Sequence, residues 1–338
     1  MSAGVETLLQ GSDGATAYLG GAVVGTPRGG DMHYRSGDAH GPRHEDDAAD
    51  PRRKAEAMTT DRTALFCSIA LAERIEQAEA RLVAAATEAA HRRTGDPGFV
   101  LPIAGGVACF AEDGSPFTKV AGLGFAGVPD DDELTAVERA FAERGAPVQV
   151  ELAHLADPAL GALLSARGYR LAWFENVLGR ALDRPTEPVV PSGIEIRPSG
   201  DDEFDRWLEV AADAVAHPDT DGVPQQEEFP RKVYLAAERD MAAAGVVRYA
   251  AVRDGVVVGG AALRTDGGVA QFAGAATAPA QRRQGVQSAL LAARLIDARA
   301  AGCDVAVVVT QPGSPSQQNS QRQGFDLLYT RAVLIKEG

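Results

Sequence analysis

Hydrophobic residues recur at three- and four-residue spacing in several separated segments of the chain. The longest such segment begins near residue 64 and stops at Gly95, with Glu and Arg on its opposite face. This pattern is typical of an amphipathic helix that ends at a glycine. The same spacing predicts further helices at residues 130–143, 158–166, 201–216, 231–243, 286–300 and 316–322.

Short runs of β-branched and other apolar residues lie between these helices. They predict strands at residues 99–102, 106–110, 118–123, 148–152, 169–182, 194–197, 246–253, 256–264, 268–276, 304–310 and 327–336. Asp254-Gly255, between two of these runs, favours a type I′ turn and therefore a hairpin. We expect an α/β protein, more closely an α+β arrangement on a mixed sheet. For the helix at 201–216, we expect Asp201 or Asp202 to supply the N-cap.

A length of 338 residues suggests two domains. Residues 1–57 are rich in Gly, Asp, His and Arg and are predicted to be a disordered extension, with Met58 as a candidate natural start. The Pro-rich residues 184–193 are predicted to link a first domain, 58–183, to a second, 194–338.

The net charge of −14 argues against general binding to nucleic acid or to an anionic membrane. No apolar run approaches the ~20 residues that span a bilayer, and the N-terminus lacks a secretion signal, so we expect a cytoplasmic protein. Cys67, Cys109 and Cys303 have no metal-ligand spacing and are expected to be reduced core residues. No metal site is predicted.

One strand-to-helix junction, within residues 268–291, has the character of an anion site. The strand ends near Thr277, and a basic loop containing Arg282, Arg283 and Gly285 opens the next helix. The free N–H groups and the dipole of a helix N-terminus favour phosphate. The plainer interpretation is an ordinary crossover with a solvated basic loop. The spacing is neither the GxGxxG of a dinucleotide fold nor a P-loop.

Arg282-x-x-Gly285-x-Gln287 resembles the pyrophosphate-binding motif of the GNAT superfamily of acyl-CoA-dependent N-acyltransferases, with Gln287 where the family usually has Gly or Ala. The predicted element order over about 192–338 is also that of the family. The resemblance implies a GNAT fold with two similar halves. The N-terminal half has GVPDDDELT at the corresponding junction, and carboxylates there suit a helix start but not a phosphate ligand. We therefore expect that half to be degenerate.

The resemblance implies acetyl-CoA as co-substrate, held between the strands at 268–277 and 304–310. The cofactor-binding residues that it implies are Ala275, Ala276, Thr277, Arg282, Arg283, Gln284, Gly285, Val286, Gln287, Ser288, Asn319 and Arg322.

The acid and base that an acetyl transfer uses are less evident in the sequence. The family often has a tyrosine as general acid at the position of Ser320, whose hydroxyl is a poorer acid than a phenol; Tyr329 is a candidate substitute. The candidate general bases are His217, Glu227, Glu228 and Tyr234.

These expectations favour an N-acetyltransferase in which a primary amine attacks acetyl-CoA directly in a ternary complex. The acceptor is expected to be a small molecule or a peptide, and the protein a monomer or a homodimer. The alternative is a non-catalytic acyl-CoA-binding sensor or scaffold. A nucleotide-phosphate enzyme of another fold is disfavoured by the missing motifs.

Overall fold

The computed structural model describes residues 16–17, 63–217, 223 and 229–338. Its helices are α1 (Ile69–Thr94), α2 (Asp131–Ala142), α3 (Ala159–Ala166), α4 (Phe204–Ala216), α5 (Arg231–Ala243), α6 (Val286–Ala300) and α7 (Pro315–Arg322). Its strands are β1 (Thr16–Ala17), β2 (Phe99–Ile103), β3 (Gly106–Phe110), β4 (Lys119–Ala121), β5 (Val148–Ala153), β6 (Arg170–Ala181), β7 (Glu195–Pro198), β8 (Phe229–Pro230), β9 (Val247–Arg253), β10 (Val256–Asp266), β11 (Val269–Thr277), β12 (Val305–Thr310) and β13 (Asp326–Lys336).

Two predictions from the sequence fall mostly outside the described residues. Of the extension at 1–57, only β1 is described, and it pairs antiparallel with β8. The candidate bases Glu227 and Glu228 also lie outside the described part of the chain.

Helix α1 has the ends and the buried face that its sequence predicts. The Ser68 hydroxyl accepts a hydrogen bond from the Leu71 N–H at 3.2 Å, and Gly95 ends the helix with a φ of 75°. Its apolar stripe packs against α5, with Val83 and Ala86 in the same cluster as Met241. The first helix of the N-terminal half thus buries its apolar face against a helix of the C-terminal half.

The Asp254-Gly255 prediction is confirmed, since both residues have positive φ, 50° and 76°, in the turn between β9 and β10. The predicted cap of α4 is wrong. A 3₁₀ turn, Asp201–Glu203, precedes α4, and the residue before the helix, Glu203, makes no side-chain capping bond. Asp201 instead forms an ion pair with Arg248 at 2.6 Å. The Asp201 carboxylate, predicted to cap α4, therefore pairs with Arg248 of β9 instead.

In the described part of the chain, eleven strands form one mixed sheet in the order β2-β3-β4-β5-β13-β6-β12-β11-β10-β9-β7. Each half contributes a run of its own strands, but the last strand of each half pairs within the other. Strand β6 pairs with β12 of the C-terminal half, and β13 pairs with β5 of the N-terminal half. Strands β6 and β13 also pair with each other, so the exchange makes the sheet continuous. The domain boundary at 184–193 stays a prediction.

A buried ionic cluster ties α1 to the exchanged strand β13. The Arg331 Nε donates to Glu76 at 2.8 Å, and its Nη1 lies 3.4 Å from Glu151. Lys119 donates to the other oxygen of Glu151 at 2.6 Å. Although burial raises the pKa of Glu151, Lys119 and Arg331 lower it below its ordinary value, so this carboxylate stays charged.

Two cysteines, Cys109 and Cys303, are buried as expected, whereas Cys67 is only partly buried. None of the helices in the described residues is long and apolar enough to cross a membrane. Within the same residues, no group of His, Cys, Asp and Glu side chains has the arrangement of a metal site.

Replacing Arg331 with alanine should destabilise the fold strongly, because it leaves the buried Glu76 without its cation and leaves Glu151 with Lys119 alone. We expect the free energy of unfolding to fall by about 3–5 kcal/mol in urea denaturation. The matched control is Arg139→Ala, which removes an ion pair with Glu143 whose side chains are 75% and 70% exposed, and should cost less than about 1 kcal/mol. Equal losses for the two variants would contradict this account of the cluster.

Candidate active site

Strands β11 and β12 are parallel neighbours that separate partway along their length. They pair at three positions, ending with Gln271 opposite Val307. On its other side, β11 stays paired with β10 as far as Thr277, and β12 stays paired with β6 as far as Thr310. The facing backbone edges of β11 and β12 beyond the last pair therefore line a wedge-shaped opening and are available to a strand-like ligand.

A β-bulge at Gly274 shapes one wall of this opening. The pairing with β10 passes from Ala273 directly to Ala275, so Gly274 has no partner across the strand, and its φ is 35°. Ala275 is exposed, whereas Ala276 and Thr277 are buried. The bulge therefore lies in the part of β11 that has no pairing with β12, where the sequence predicts a ligand.

A buried arginine supports the bulge from the opposite face of the sheet. Arg294 on α6 donates to the carbonyls of Ala262 and Ala273, at 2.9 and 3.5 Å, and lies over the Phe272 ring at 4.5 Å. Burial lowers the pKa of Arg294 to about 9. The Arg294 guanidinium thus donates to one carbonyl of β10 and one of β11, at the position where the register between these two strands shifts.

The predicted anion loop follows β11 through a 3₁₀ turn, Pro279–Gln281. Gly285 stands at the N-cap of α6 with a φ of 81°, and no side chain caps the helix there. Gln287 reaches back to the end of the strand, where its Nε2 donates to the Thr277 hydroxyl at 2.9 Å. Gln287, which stands where the motif usually has Gly or Ala, therefore ties the start of α6 to the end of β11.

Arg282 has a structural contact that the sequence does not predict. Its Nη2 donates to the carbonyl of Ala214 at 2.9 Å and to the carbonyl of His217, at the C-terminal end of α4. This is favourable at the negative end of a helix dipole. Arg253 on β9 donates to the side chains of Gln281 and Gln284 and is a second cation at the loop.

The other predicted cofactor residues occupy different surroundings. Val286 is 2% exposed and belongs to the core of the C-terminal half. Ser288 accepts a bond from Gln323 at 3.3 Å, which ties α6 to the end of α7. Asn319 and Arg322 are exposed on α7, and Arg283 is exposed in the loop with a φ of 62°. The cofactor-binding role of this whole set stays a prediction.

Both predicted catalytic hydroxyls, those of Tyr329 and Ser320, belong to buried residues. Tyr329 pairs with Val177 of β6, which in turn pairs with Val309 of β12, so it lies two strands away, about 10 Å. Its hydroxyl donates to Glu76 at 2.6 Å, and burial raises its pKa well above the ordinary value. Ser320 is 5% exposed on α7. The contact with Glu76 argues against Tyr329 as the acid.

The two described candidates for the base differ in burial. His217 is exposed, and its Nδ1 lies 2.9 Å from the carbonyl oxygen of Asp213, to which it donates when protonated. Tyr234 is 3% exposed and packs in a cluster with Trp207 and Ala276. Only Tyr234 therefore faces the end of β11.

Sequence reasoning missed three residues of the candidate site: Glu238 and Arg294 beside the bulge, and Arg253 at the loop before α6. For two of them the sequence carried a usable signal. Arg294 and Glu238 each stand on the apolar stripe of their helix, four residues after Leu290 and Tyr234 respectively. A charged residue on a buried stripe has either a specific partner or a function.

The N-terminal half repeats the strand–helix junction with opposite chemistry. Strands β4 and β5 are parallel and pair only at Val120 and Val150. At the start of α2, Asp130 and Glu133 form a reciprocal capping box, so the prediction that the acidic run starts a helix is confirmed. The N–H groups that would meet a phosphate are bonded to the protein's own carboxylates.

Two parallel strands that separate, with a loop and a helix N-terminus beyond them, are the arrangement that the resemblance to the GNAT superfamily implies. Residues 207–325 match the sequence model of the Acetyltransferase (GNAT) family. No match appears among curated proteins.

Solved structures agree on the fold. A GCN5-related N-acetyltransferase from Kribbella flavida has a TM-score of 0.55 at 23% identity, over 77% of this chain and 95% of that chain. A tandem GNAT protein from the clavulanic acid biosynthesis pathway has a TM-score of 0.52 at 14% identity, over 83% of this chain and 91% of that chain. The arrangement of two GNAT-like halves is thus found in a known structure.

Arg282→Ala should weaken the fold even without a ligand, because the carbonyls of Ala214 and His217 lose a charged donor. We expect the free energy of unfolding to fall by about 1–3 kcal/mol. Arg231→Ala, which removes an exposed contact with Glu209, is the control and should change it by less than about 1 kcal/mol. An unchanged midpoint for Arg282→Ala in thermal or urea unfolding would show that the contacts of Arg282 with α4 do not contribute to stability.

Proposed function

We propose that this protein is an acetyl-CoA-dependent N-acetyltransferase that acetylates a primary amine. The observation that carries the proposal is the opening between β11 and β12. Both strands keep their outer partners to their ends while their facing edges lose each other after Gln271 and Val307. An unfilled backbone edge inside a sheet is suited to an extended ligand whose amides hydrogen-bond like those of a strand.

The residues at the opening fit the pantetheine arm and thioester of acetyl-CoA. Ala275, Ala276 and Thr277 would offer backbone groups, and the small residues with the bulge at Gly274 leave room for close approach. Bound acetyl-CoA supplies an activated acetyl group. The protein's part is to hold an amine beside it, and holding two reactants in line removes much of the barrier to their reaction.

The loop before α6 fits the diphosphate. Gly285 leaves the helix N-terminus without a side-chain cap, and its backbone is reachable. Arg253, Arg282 and Arg283 surround that loop in a chain of net charge −14. This local positive field contrasts with the capping box of Asp130 and Glu133 in the other half, which supports a single diphosphate site in the C-terminal half.

A non-catalytic acyl-CoA-binding sensor is the second candidate, and the position of Tyr329 favours it. The hydroxyl that the sequence offered as general acid is bonded to Glu76, away from the opening. Turnover separates the two. A sensor binds acetyl-CoA but releases no CoA thiol with any amine, whereas a transferase releases thiol in proportion to acetylated product.

Acetyl-CoA should bind the full chain with micromolar affinity in isothermal titration calorimetry. Gly285→Asp should weaken this binding at least tenfold, because it puts a carboxylate where the diphosphate would meet the helix N-terminus. The control is Gly302→Asp at the other end of α6. Gly302 has nearly the same φ, 80° against 81°, so both variants carry similar backbone strain.

Two results would count against this site. If Gly285→Asp and Gly302→Asp bind acetyl-CoA equally well, the diphosphate does not lie at the start of α6. If the folded wild-type protein binds no acetyl-CoA, the proposed function itself is wrong.

A further inference from the structure

A buried carboxylate borders the bulge of β11 and has no assigned role. Glu238 on α5 is 3% exposed, and its Oε1 is buried without a hydrogen-bond partner among the described residues. A buried carboxylate oxygen without a partner is costly, and such groups concentrate at functional sites.

The position of Glu238 relates it directly to the opening. A Cβ built on Gly274 would lie 3.4 Å from the Glu238 Oε1, so only the missing side chain of the bulge residue separates β11 from this oxygen. One helical turn earlier, Tyr234 packs beside Ala276 near the end of the same strand. Glu238 and Tyr234 thus lie against β11 beside the opening, on the face of the sheet that α5 covers.

We infer that Glu238 is the general base of the acetyl transfer and that the acceptor is an aliphatic amine that arrives protonated. This rests on the proposed function, because it needs an acetyl thioester in the opening. The Glu238 carboxylate beside β11 attracts an ammonium group and can accept its proton. An amine that arrived neutral would not need a proton acceptor before its attack.

The proton balance is as follows. The acceptor ammonium gives one proton to the Glu238 carboxylate and becomes a neutral amine. Its lone pair forms the C–N bond with the acetyl carbonyl, and the C–S bond breaks with its electrons going to sulfur. The second proton that the nitrogen loses in becoming an amide ends on that sulfur, which leaves as a thiol. Glu238 then returns its proton to water.

The surroundings of Glu238 suit this role near neutral pH. Burial raises the pKa of Glu238 to about 7, against the opposite influence of Tyr234 and of Arg248 on β9. Burial also raises the pKa of Tyr234 well above its ordinary value, so that phenol stays neutral. The other buried carboxylate of α5, Asp240, is already paired with Arg93 of α1 at 2.7 Å.

The test is the pH dependence of kcat/KM for three amine probes: spermidine, kanamycin and Nα-acetyl-lysine amide. In the wild type, kcat/KM should rise through an inflection near pH 7, because Glu238 accepts a proton only when it is ionised. Glu238→Gln should lower kcat/KM at pH 7 by about 100-fold or more. The inflection should disappear, and the two proteins should converge toward pH ~10, where the amine itself is neutral.

Two further variants separate chemistry from structure. Asp240→Asn removes an equally buried carboxylate of the same helix, 2% exposed, and should lower stability while the inflection near pH 7 remains. Glu238→Asp keeps a titrating carboxyl, so an inflection should return at a reduced rate. If Glu238→Gln does not fold, the inflection and kcat/KM of Glu238→Asp test the assignment instead.

The outcomes distinguish this inference from the function on which it rests. Glu238→Gln should bind acetyl-CoA within about twofold of the wild type by calorimetry. If Glu238→Gln keeps the inflection near pH 7, the assignment of the base is wrong. If the wild type binds acetyl-CoA but acetylates none of the probes, the protein is the sensor, and the transferase function and this inference are both wrong. If the wild type binds no acetyl-CoA, the proposed function fails first.

Discussion

The separation of β11 from β12 after three paired positions is the constraint on which the rest of the C-terminal half depends. A sheet interior normally leaves no backbone group without a partner. Here the outer partners of both strands hold them in place, and the bulge at Gly274, supported by Arg294, interrupts the register of β11 beside the opening. The opening is therefore built into the backbone of the sheet and needs no loop to form it.

The strand-to-helix junction differs between the two halves in how the N–H groups at the start of the helix are satisfied. In the N-terminal half, the carboxylates of Asp130 and Glu133 satisfy the N–H groups that start α2. In the C-terminal half, the start of α6 has Gly285 and no side-chain cap. The exchange of β6 and β13 then makes the first half a structural support for the second, since β6 forms the outer partner of β12.

The sequence predicted the local features well because their causes are local. The helix ending at Gly95 and the turn at Asp254-Gly255 follow from residues that are neighbours in the chain. The β-bulge was not predictable, because it exists only in the register between β10 and β11. Likewise, Tyr329 meets Glu76 across 253 residues, and no spacing in the sequence reveals that bond.

The site residues also fall into those that adjacent sequence predicts and those that only tertiary contacts reveal. Gly285 could be located because a strand, a loop and a helix follow one another there, and the family match over 207–325 includes that segment. Glu238 and Arg294 were missed because they act through burial and contact with other elements. Both did stand out as charged residues on apolar helical stripes, which is the pattern to search for in related chains.

The most direct test of the central claim is a crystal structure of the full chain with acetyl-CoA. The account predicts the pantetheine arm against the edge of β11 between Phe272 and Thr277, and the diphosphate at the N–H groups that start α6. Acetyl-CoA bound at the β4–β5 junction of the N-terminal half, with the β11–β12 opening empty, would contradict it.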